Sequence, residues 1–383
     1  MRVAFIYNAQ DHHIPHSLPV ACTLSASYPA IQVCVLARTE AQLSLCRRLA
    51  ALYPGHRLDF GLLRVPLAAR AAGALGRSPK LLVLWANRRM LNGFDALVVP
   101  ERTSLNLRRM GVTRPKFIHG FHGGDGHDRV DDPRLAAFDL LLAPSADRLA
   151  RIAAAGNARP GHAAVTGYCK FDLVGRIGSS RPPLFANDRP TILYNPHHRA
   201  GTTSWSGIGP ALLDHFAARD DYNLIFAPHV RLFDPPARHE REFARWRGVD
   251  HLRIDLGSAA SIDMSYVMAA DIYLGDISSQ VLEFLVRPRP CIFLNPRDLP
   301  WADDPGFVFW RLGPVVKDLP GLDTALATRS AWEGDYRAAQ RAAFDRAFPS
   351  LPEAAPAVAA RAIATCLRDG RVSDDPSPIA AAA

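Results

Sequence analysis

The sequence predicts an α/β protein of two Rossmann-like domains, each built on a parallel sheet, and three observations carry that reading. Short apolar runs recur between amphipathic segments, at 3–7, 33–36, 96–99, 117–118 and 140–143, and again at 192–194, 224–227, 272–274 and 291–294. Runs of that length separated by helical sequence are typical of strands covered on both faces of a parallel sheet. The chain has 383 residues, enough for two cores. Between the two sets of runs, GSSRPPLFANDRP (178–190) is rich in turn formers and poor in core residues, the composition of a linker. The expected organisation is a first domain over 1–184 and a second over 185–335. Ala-rich, Arg-spaced helices over 336–370, broken at Pro349 and Pro352, would return to the first domain, and 371–383 would be a disordered tail.

Composition narrows the partners. Hydrophobic residues make up 48% and charged residues 21%, which excludes a disordered or fibrous chain. Lys and Arg number 45 against 37 Asp and Glu, and a net charge of +8 favours anionic partners. The six cysteines, at 22, 34, 46, 169, 291 and 366, form no CxxC pair, so neither a zinc knuckle nor a disulfide framework is indicated and a reducing cytoplasm is expected. The N-terminal apolar run is too short for a secretory signal, and no run approaches the roughly 20 residues that cross a bilayer. The stretch 62–91 carries Arg64, Arg70, Arg77, Lys80, Arg88 and Arg89 with no acidic residue and many Leu and Ala. Such a segment can be a solvated helix face, or it can lie on the inner face of the cytoplasmic membrane as a peripheral contact.

Two stretches carry chemistry. ADIYLGDISSQVLEFLVRPRPCIFL (270–294) reads as a strand, a small polar turn of Gly275, Asp276, Ile277, Ser278 and Ser279, a helix from Gln280, and another strand. Hydroxyls and free backbone N–H groups at a helix start suit phosphate, although a serine there can equally be a simple cap. KFIHGFHGGDGHDR (116–129) reads as a strand running into a glycine-rich loop with His119, His122, Asp125, His127 and Asp128. A neutral imidazole can accept a hydroxyl proton, and Asp125 or Asp128 could orient it. Clustered His and Asp also raise a metal site, here and at DHHIPH (11–16), but neither cluster has the helical spacing of HExxH, and no metal is assigned. Arg199 and His229 each follow a strand, so they would sit at the carboxyl end of the second sheet, where open α/β sheets bind ligands. A guanidinium matches phosphate with two hydrogen bonds.

These stretches resemble the CDP-glycerol glycerophosphotransferase family, the teichoic-acid polymerases and primases. The pattern from Asp271 through Asp276, Ser278 and Ser279 to Pro290 is similar to that family's Asp-Tyr-Ser-Ser phosphate turn, with Ile277 in place of Tyr. VTGYCKFD (165–172), ILYNPHHR (192–199) and LIFAPH (224–229) resemble three further family segments in the same order, with Cys169, Lys170, His197 and His198 as departures. The resemblance touches residues 110–300 or thereabouts. It implies a GT-B-like arrangement, two Rossmann-like domains with parallel sheets facing across a cleft. It also implies transfer of glycerol phosphate, or a related alditol phosphate, from a CDP-activated donor to a hydroxyl of a cell-envelope glycan or glycolipid. His122, or else His119, would be the base, with His229 and Asp125 assisting. Arg199, Gly275, Asp276, Ser278, Ser279 and Gln280 would hold the donor phosphates, with no cofactor beyond the nucleotide-activated donor itself. The runner-up keeps the fold and changes the donor: an inverting glycosyltransferase or epimerase-like enzyme acting on a UDP- or CMP-sugar. A nucleic-acid binder is disfavoured, since Arg residues are spread out rather than striped among aromatics. With neither GxxxxGK[ST] nor GxGxxG present, ATP- and NAD-dependent chemistry have no support.

Overall fold

Every strand pair among the described residues of the computed structural model is parallel, which forces each connection to cross a face of its sheet. The structure describes residues 1–74, 79–121, 130–177, 183–278, 280–351 and 353–372, with only the backbone of 73 and 74. The chain forms two compact units. Of the described residues, 1–121, 130–176 and 348–372 make the first and 177–347 the second.

In the first unit, β1 (Arg2–Tyr7), β2 (Gln32–Ala37), β3 (Leu58–Leu62), β4 (Ala96–Val99), β5 (Lys116–Gly120), β6 (Leu140–Ala143) and β7 (Ala163–Val165) assemble in the order β3-β2-β1-β4-β5-β6-β7. In the second, β8 (Thr191–Asn195), β9 (Asn223–Phe226), β10 (Leu252–Ile254), β11 (Ile272–Gly275), β12 (Cys291–Leu294) and β13 (Val315–Val316) assemble as β10-β9-β8-β11-β12-β13. Both orders reverse beside their first strand, between β1 and β4 and between β8 and β11, so each unit has the switch point at which doubly wound sheets bind ligands. The expected two-domain α/β architecture is the one observed.

The interior strands are predominantly apolar because both faces are covered. Val3, Ala4 and Phe5 of β1 and Ile192, Leu193 and Tyr194 of β8 are buried. Four strands have no counterpart in the apolar runs read from the sequence: β3, β7, β10 and β13, which are the four edges of the two sheets. They are only partly covered, and their side chains need not be uniformly apolar.

The helix Ile14–Ser27 is buried almost all round and packs against the helix Ala355–Asp369, whose Ala359, Ala360, Ile363 and Cys366 face inward. Phe348 meets Tyr168 and Phe171, and buried Val372 donates its N–H to the Gly161 carbonyl at 2.8 Å. The chain is therefore anchored in the first unit as far as Val372, and the rest of the expected tail lies outside the described residues. The preceding helix, Arg337–Ala347, belongs to the second unit, where Gln340 donates to the carbonyls of Leu312 and Arg289.

A glycine is required just before β13: a Cβ at Gly313 would lie 1.9 Å from the Cys291 carbonyl oxygen. Gly313→Ala should force the edge strand β13 away from β12 and lower stability by about 3 kcal/mol, the upper range for overpacking. Thermal or urea unfolding of the variant measures it.

Candidate functional site

The second unit gathers its polar residues at the carboxyl ends of β8, β9 and β11. Asn195, the last residue of β8, pairs in register with Gly275 of β11, and its side-chain amide donates to the Ala227 carbonyl beyond β9 at 2.6 Å. The His229 N–H then donates to the Pro196 carbonyl at 3.0 Å. These bonds place His197, His198 and His229 together, with ring centroids 4.3–5.1 Å apart.

Asp276 fixes the loop that carries two of these rings. Its carboxylate is fully buried and accepts from His197 N at 2.9 Å, Ser204 N at 2.8 Å and Ser204 Oγ at 3.0 Å. Burial pushes its pKa up to about 6 against the pull of those donors. Ser204 opens the helix Trp205–Ala217, and its hydroxyl also meets the Tyr194 phenol at 3.0 Å. Asp276 thus holds the loop between β8 and this helix against the turn after β11.

The imidazoles are arranged as hydrogen-bond donors. His197 Nδ1 faces the Arg199 N–H at 3.4 Å and His229 Nδ1 faces the Arg231 N–H at 3.2 Å. Both Nδ1 atoms are therefore acceptors, and in the neutral rings this network assigns the proton to Nε2. Burial, then the His198 ring and Arg231, lowers the His229 pKa to about 3; burial, then Arg231 and Arg199, lowers that of His198 to about 4. The His198 Nδ1 is buried without a hydrogen-bond partner.

One nitrogen from each of the three rings lies within 4.8 Å of the others, which is within reach of metal ligation. Metal-binding histidines, however, donate their second ring N–H to an oxygen, whereas here the second nitrogen of two rings receives an N–H. Two neighbouring guanidiniums also disfavour a dication and favour an anion. The cluster suits an anion better than a metal.

Arg199 is exposed on this loop, and the Thr202 and Thr203 N–H groups bond to its carbonyl. Ser278 is buried, and its hydroxyl accepts from Gln280 N at 3.3 Å at the start of the short helix Gln280–Phe284. Gly275 admits the Tyr273 hydroxyl, which would lie 2.7 Å from a Cβ there. Ser279 lies outside the described residues. An open groove of about 600 Å³ in this unit, lined by Asp188, Asp271, Arg329 and Trp332, sits at the opposite, amino ends of the strands. Its two carboxylates make it a poor seat for phosphate.

In the first unit, His119 is a packed core residue: its Nδ1 bonds to the Val99 carbonyl at 3.1 Å and its ring stacks on Phe138 with centroids 4.8 Å apart. His122 and Asp125 lie outside the described residues. A cavity of about 20 Å³, the size of a water, is lined by His16, Ser17, Gly120, Thr166, Tyr168 and Cys169 at the carboxyl ends of the strands. It brings Gly120 at the end of β5, residues 166–169 and the first turn of the helix Ile14–Ser27 together, a convergence with no signal in linear spacing. The Tyr7 phenol meets the Ser17 hydroxyl at 2.9 Å, repeating the Tyr194–Ser204 pair of the second unit.

No family model and no curated protein matches the chain. Among solved structures it is similar to the wall teichoic acid polymerase TagF, here as a variant soaked with CDPG, at a TM-score of 0.64 and 13% identity over 96% of this chain and 88% of that one. A Listeria monocytogenes protein assigned as a UDP-N-acetylglucosamine 2-epimerase gives a TM-score of 0.64 at 13% identity, covering 96% of this chain and 97% of that one. The UDP-GlcNAc 2-epimerase of Neisseria meningitidis, bound to UDP-GlcNAc, gives 0.59 at 13% identity, covering 96% and 100%. The fold is GT-B-like, two α/β units with parallel sheets.

Two outcomes follow from this geometry. Asp276→Asn turns an amide donor toward N–H groups, and should cost about 2 kcal/mol, measured by urea unfolding. His198 and His229, with lowered pKa values in the fold, bind fewer protons there than when unfolded. Their contribution is complete above pH 6.5 or so and is lost as pH falls toward their folded values. Asp276, with its raised value, acts oppositely below about 6 and offsets one of the two protons. Stability should fall on acidification from pH 7 to pH 5 with a slope of up to about 1 kcal/mol per pH unit, and His229→Gln should flatten it.

Proposed function

We propose that the chain is a transferase that binds a nucleotide-activated donor at the carboxyl end of its second sheet and moves an alditol phosphate, as glycerol phosphate from CDP-glycerol, to a hydroxyl of a cell-envelope acceptor. The observation that carries this reading is the set of anion-directed groups on β8, β9 and β11: His197 and His229 with Nε2–H donors, Arg199 on the same loop, and the Ser278 turn. The sequence pattern around 270–294 and the likeness in fold to TagF support it.

In this scheme the acceptor oxygen attacks the β-phosphorus, the bond from that phosphorus to the bridging oxygen breaks, and CMP leaves with the electron pair. His122 of the glycine-rich loop takes the hydroxyl proton, a role that rests on the resemblance. Asp125 would orient that ring. Arg199, His229 and the Ser278–Ser279 turn meet the charge that develops on the phosphoryl oxygens, the part a cation plays in kinases. Asp276, as a buried anion, holds the loop and keeps away from the phosphates. His119, packed between aromatic rings, positions the strand leading to His122.

A second reading has a specific observation behind it: the alignment spans the whole of the Neisseria meningitidis epimerase bound to UDP-GlcNAc. The same clamp would then hold a UDP-sugar, with chemistry at the sugar ring. A donor screen decides. Release of CMP from CDP-glycerol in the presence of an acceptor supports the first reading, and conversion of UDP-GlcNAc supports the second; inertness toward both removes the proposal. With the correct donor, Arg199→Ala and His229→Gln should each lower kcat/KM by about 100-fold while circular dichroism stays unchanged, as expected when a preorganised charge-stabilising donor is lost.

A further inference from the structure

The first unit bears an apolar and cationic face unlike the rest of the surface. Of the eight large hydrophobic side chains that the described residues expose, six lie between positions 62 and 90: Leu62, Leu67, Leu81, Leu82, Trp85 and Met90. Leu67 is 80% and Trp85 is 53% exposed, in a protein that otherwise buries its large side chains efficiently. Scattered single exposures are ordinary, but such a concentration marks an interaction surface.

The helix Lys80–Leu91 explains the arrangement. Val83, Leu84, Asn87 and Leu91 point inward, and Asn87 is bonded to Arg64 N and O. The outward stripe is then Leu81, Leu82, Trp85, Arg89 and Met90, set at helical spacing. The helix Leu67–Ala74 packs beside it and adds Leu67 and Arg70.

Charge selects the occupant. From position 60 to 94 the chain has no Asp or Glu, while Arg64, Arg70 and Arg89 are exposed and the Arg88 guanidinium lies 4.3 Å from the Trp85 ring centroid. Apolar side chains rimmed by arginines, with an indole among them, match the boundary between acyl chains and anionic headgroups. None of the described helices is long and apolar enough to cross a membrane, so the contact would be one of lying on the surface.

We infer that this face docks the protein on an anionic lipid bilayer. The helix starts beside the end of β1, where the Asn8 side chain donates to the Lys80 carbonyl at 3.0 Å. Docking would therefore set the carboxyl end of the first sheet close to the lipid surface, where a lipid-anchored substrate arrives. The inference rests on surface chemistry and stands apart from the reaction proposed above.

Sedimentation of the full chain with vesicles tests it. Vesicles of phosphatidylcholine with about one third phosphatidylglycerol should bind the protein about tenfold more tightly than phosphatidylcholine alone, and added salt should weaken the binding. Leu81→Glu with Trp85→Glu, and separately Arg88→Glu with Arg89→Glu, should each reduce binding about tenfold at unchanged melting temperature and unchanged donor turnover. Equal sedimentation of wild type and both variants, or no binding to either vesicle, overturns the proposal. A wild-type dimer in solution that Leu81→Glu with Trp85→Glu splits would assign the face to a second copy instead, and also overturns it. A wild-type protein that cleaves the donor but binds no vesicles sinks this inference alone, and one that binds anionic vesicles but is inert toward both donors sinks only the reaction.

Discussion

One buried carboxylate organises the polar end of the second unit. Asp276 has no solvent contact, so its oxygens must be satisfied by protein donors, and the His197 and Ser204 N–H groups are those donors. Because His197 and Ser204 bracket the loop, its path is set by the position of Asp276, and Arg199 and His198 go where that path takes them. A buried carboxylate is costly to desolvate and its donors are left unpaired when it is removed, which is the profile of a group kept for positioning rather than for net stability.

The same arrangement explains the electrostatic division of labour at this end of the sheet. The negative charge faces inward to the loop backbone, and the ring and guanidinium donors remain for whatever arrives from solvent. Burial and neighbouring arginines hold His198 and His229 neutral, so the site offers N–H donors without the desolvation cost of buried cations. An incoming phosphate would reverse that balance by stabilising the protonated rings.

Much of the fold was legible because the sheets are parallel and covered on both faces, a condition that writes itself into the sequence as uninterrupted apolar runs. The four edge strands escaped for the converse reason: Leu58–Leu62 and Ala163–Val165 are partly exposed, and nothing demands that they be apolar throughout. At the site, Arg199, His229, Asp276 and Ser278 were legible from their places after strands. What Asp276 does was not, since its partners lie 72 and 79 positions away and only the β8–β11 pairing brings them near. A correspondence between the halves was also missed. Tyr7 with Ser17 and Tyr194 with Ser204 make the same contact at the same separation of 10, but the residues between them share too little for a repeat to be seen.

The return of the chain to its starting unit has a consequence for biosynthesis. The helix Ile14–Ser27 is translated well over 300 residues before Ala355–Asp369, yet part of the surface that covers it is supplied by that later helix. Among the described residues the second unit is the single stretch 177–347, which can close on the ribosome while the first still waits for the helix Ala355–Asp369, reversing the usual amino-to-carboxyl order of domain folding. Until then the unfinished half presents apolar surface in the crowded cell, and that interval is when a chaperone would find it.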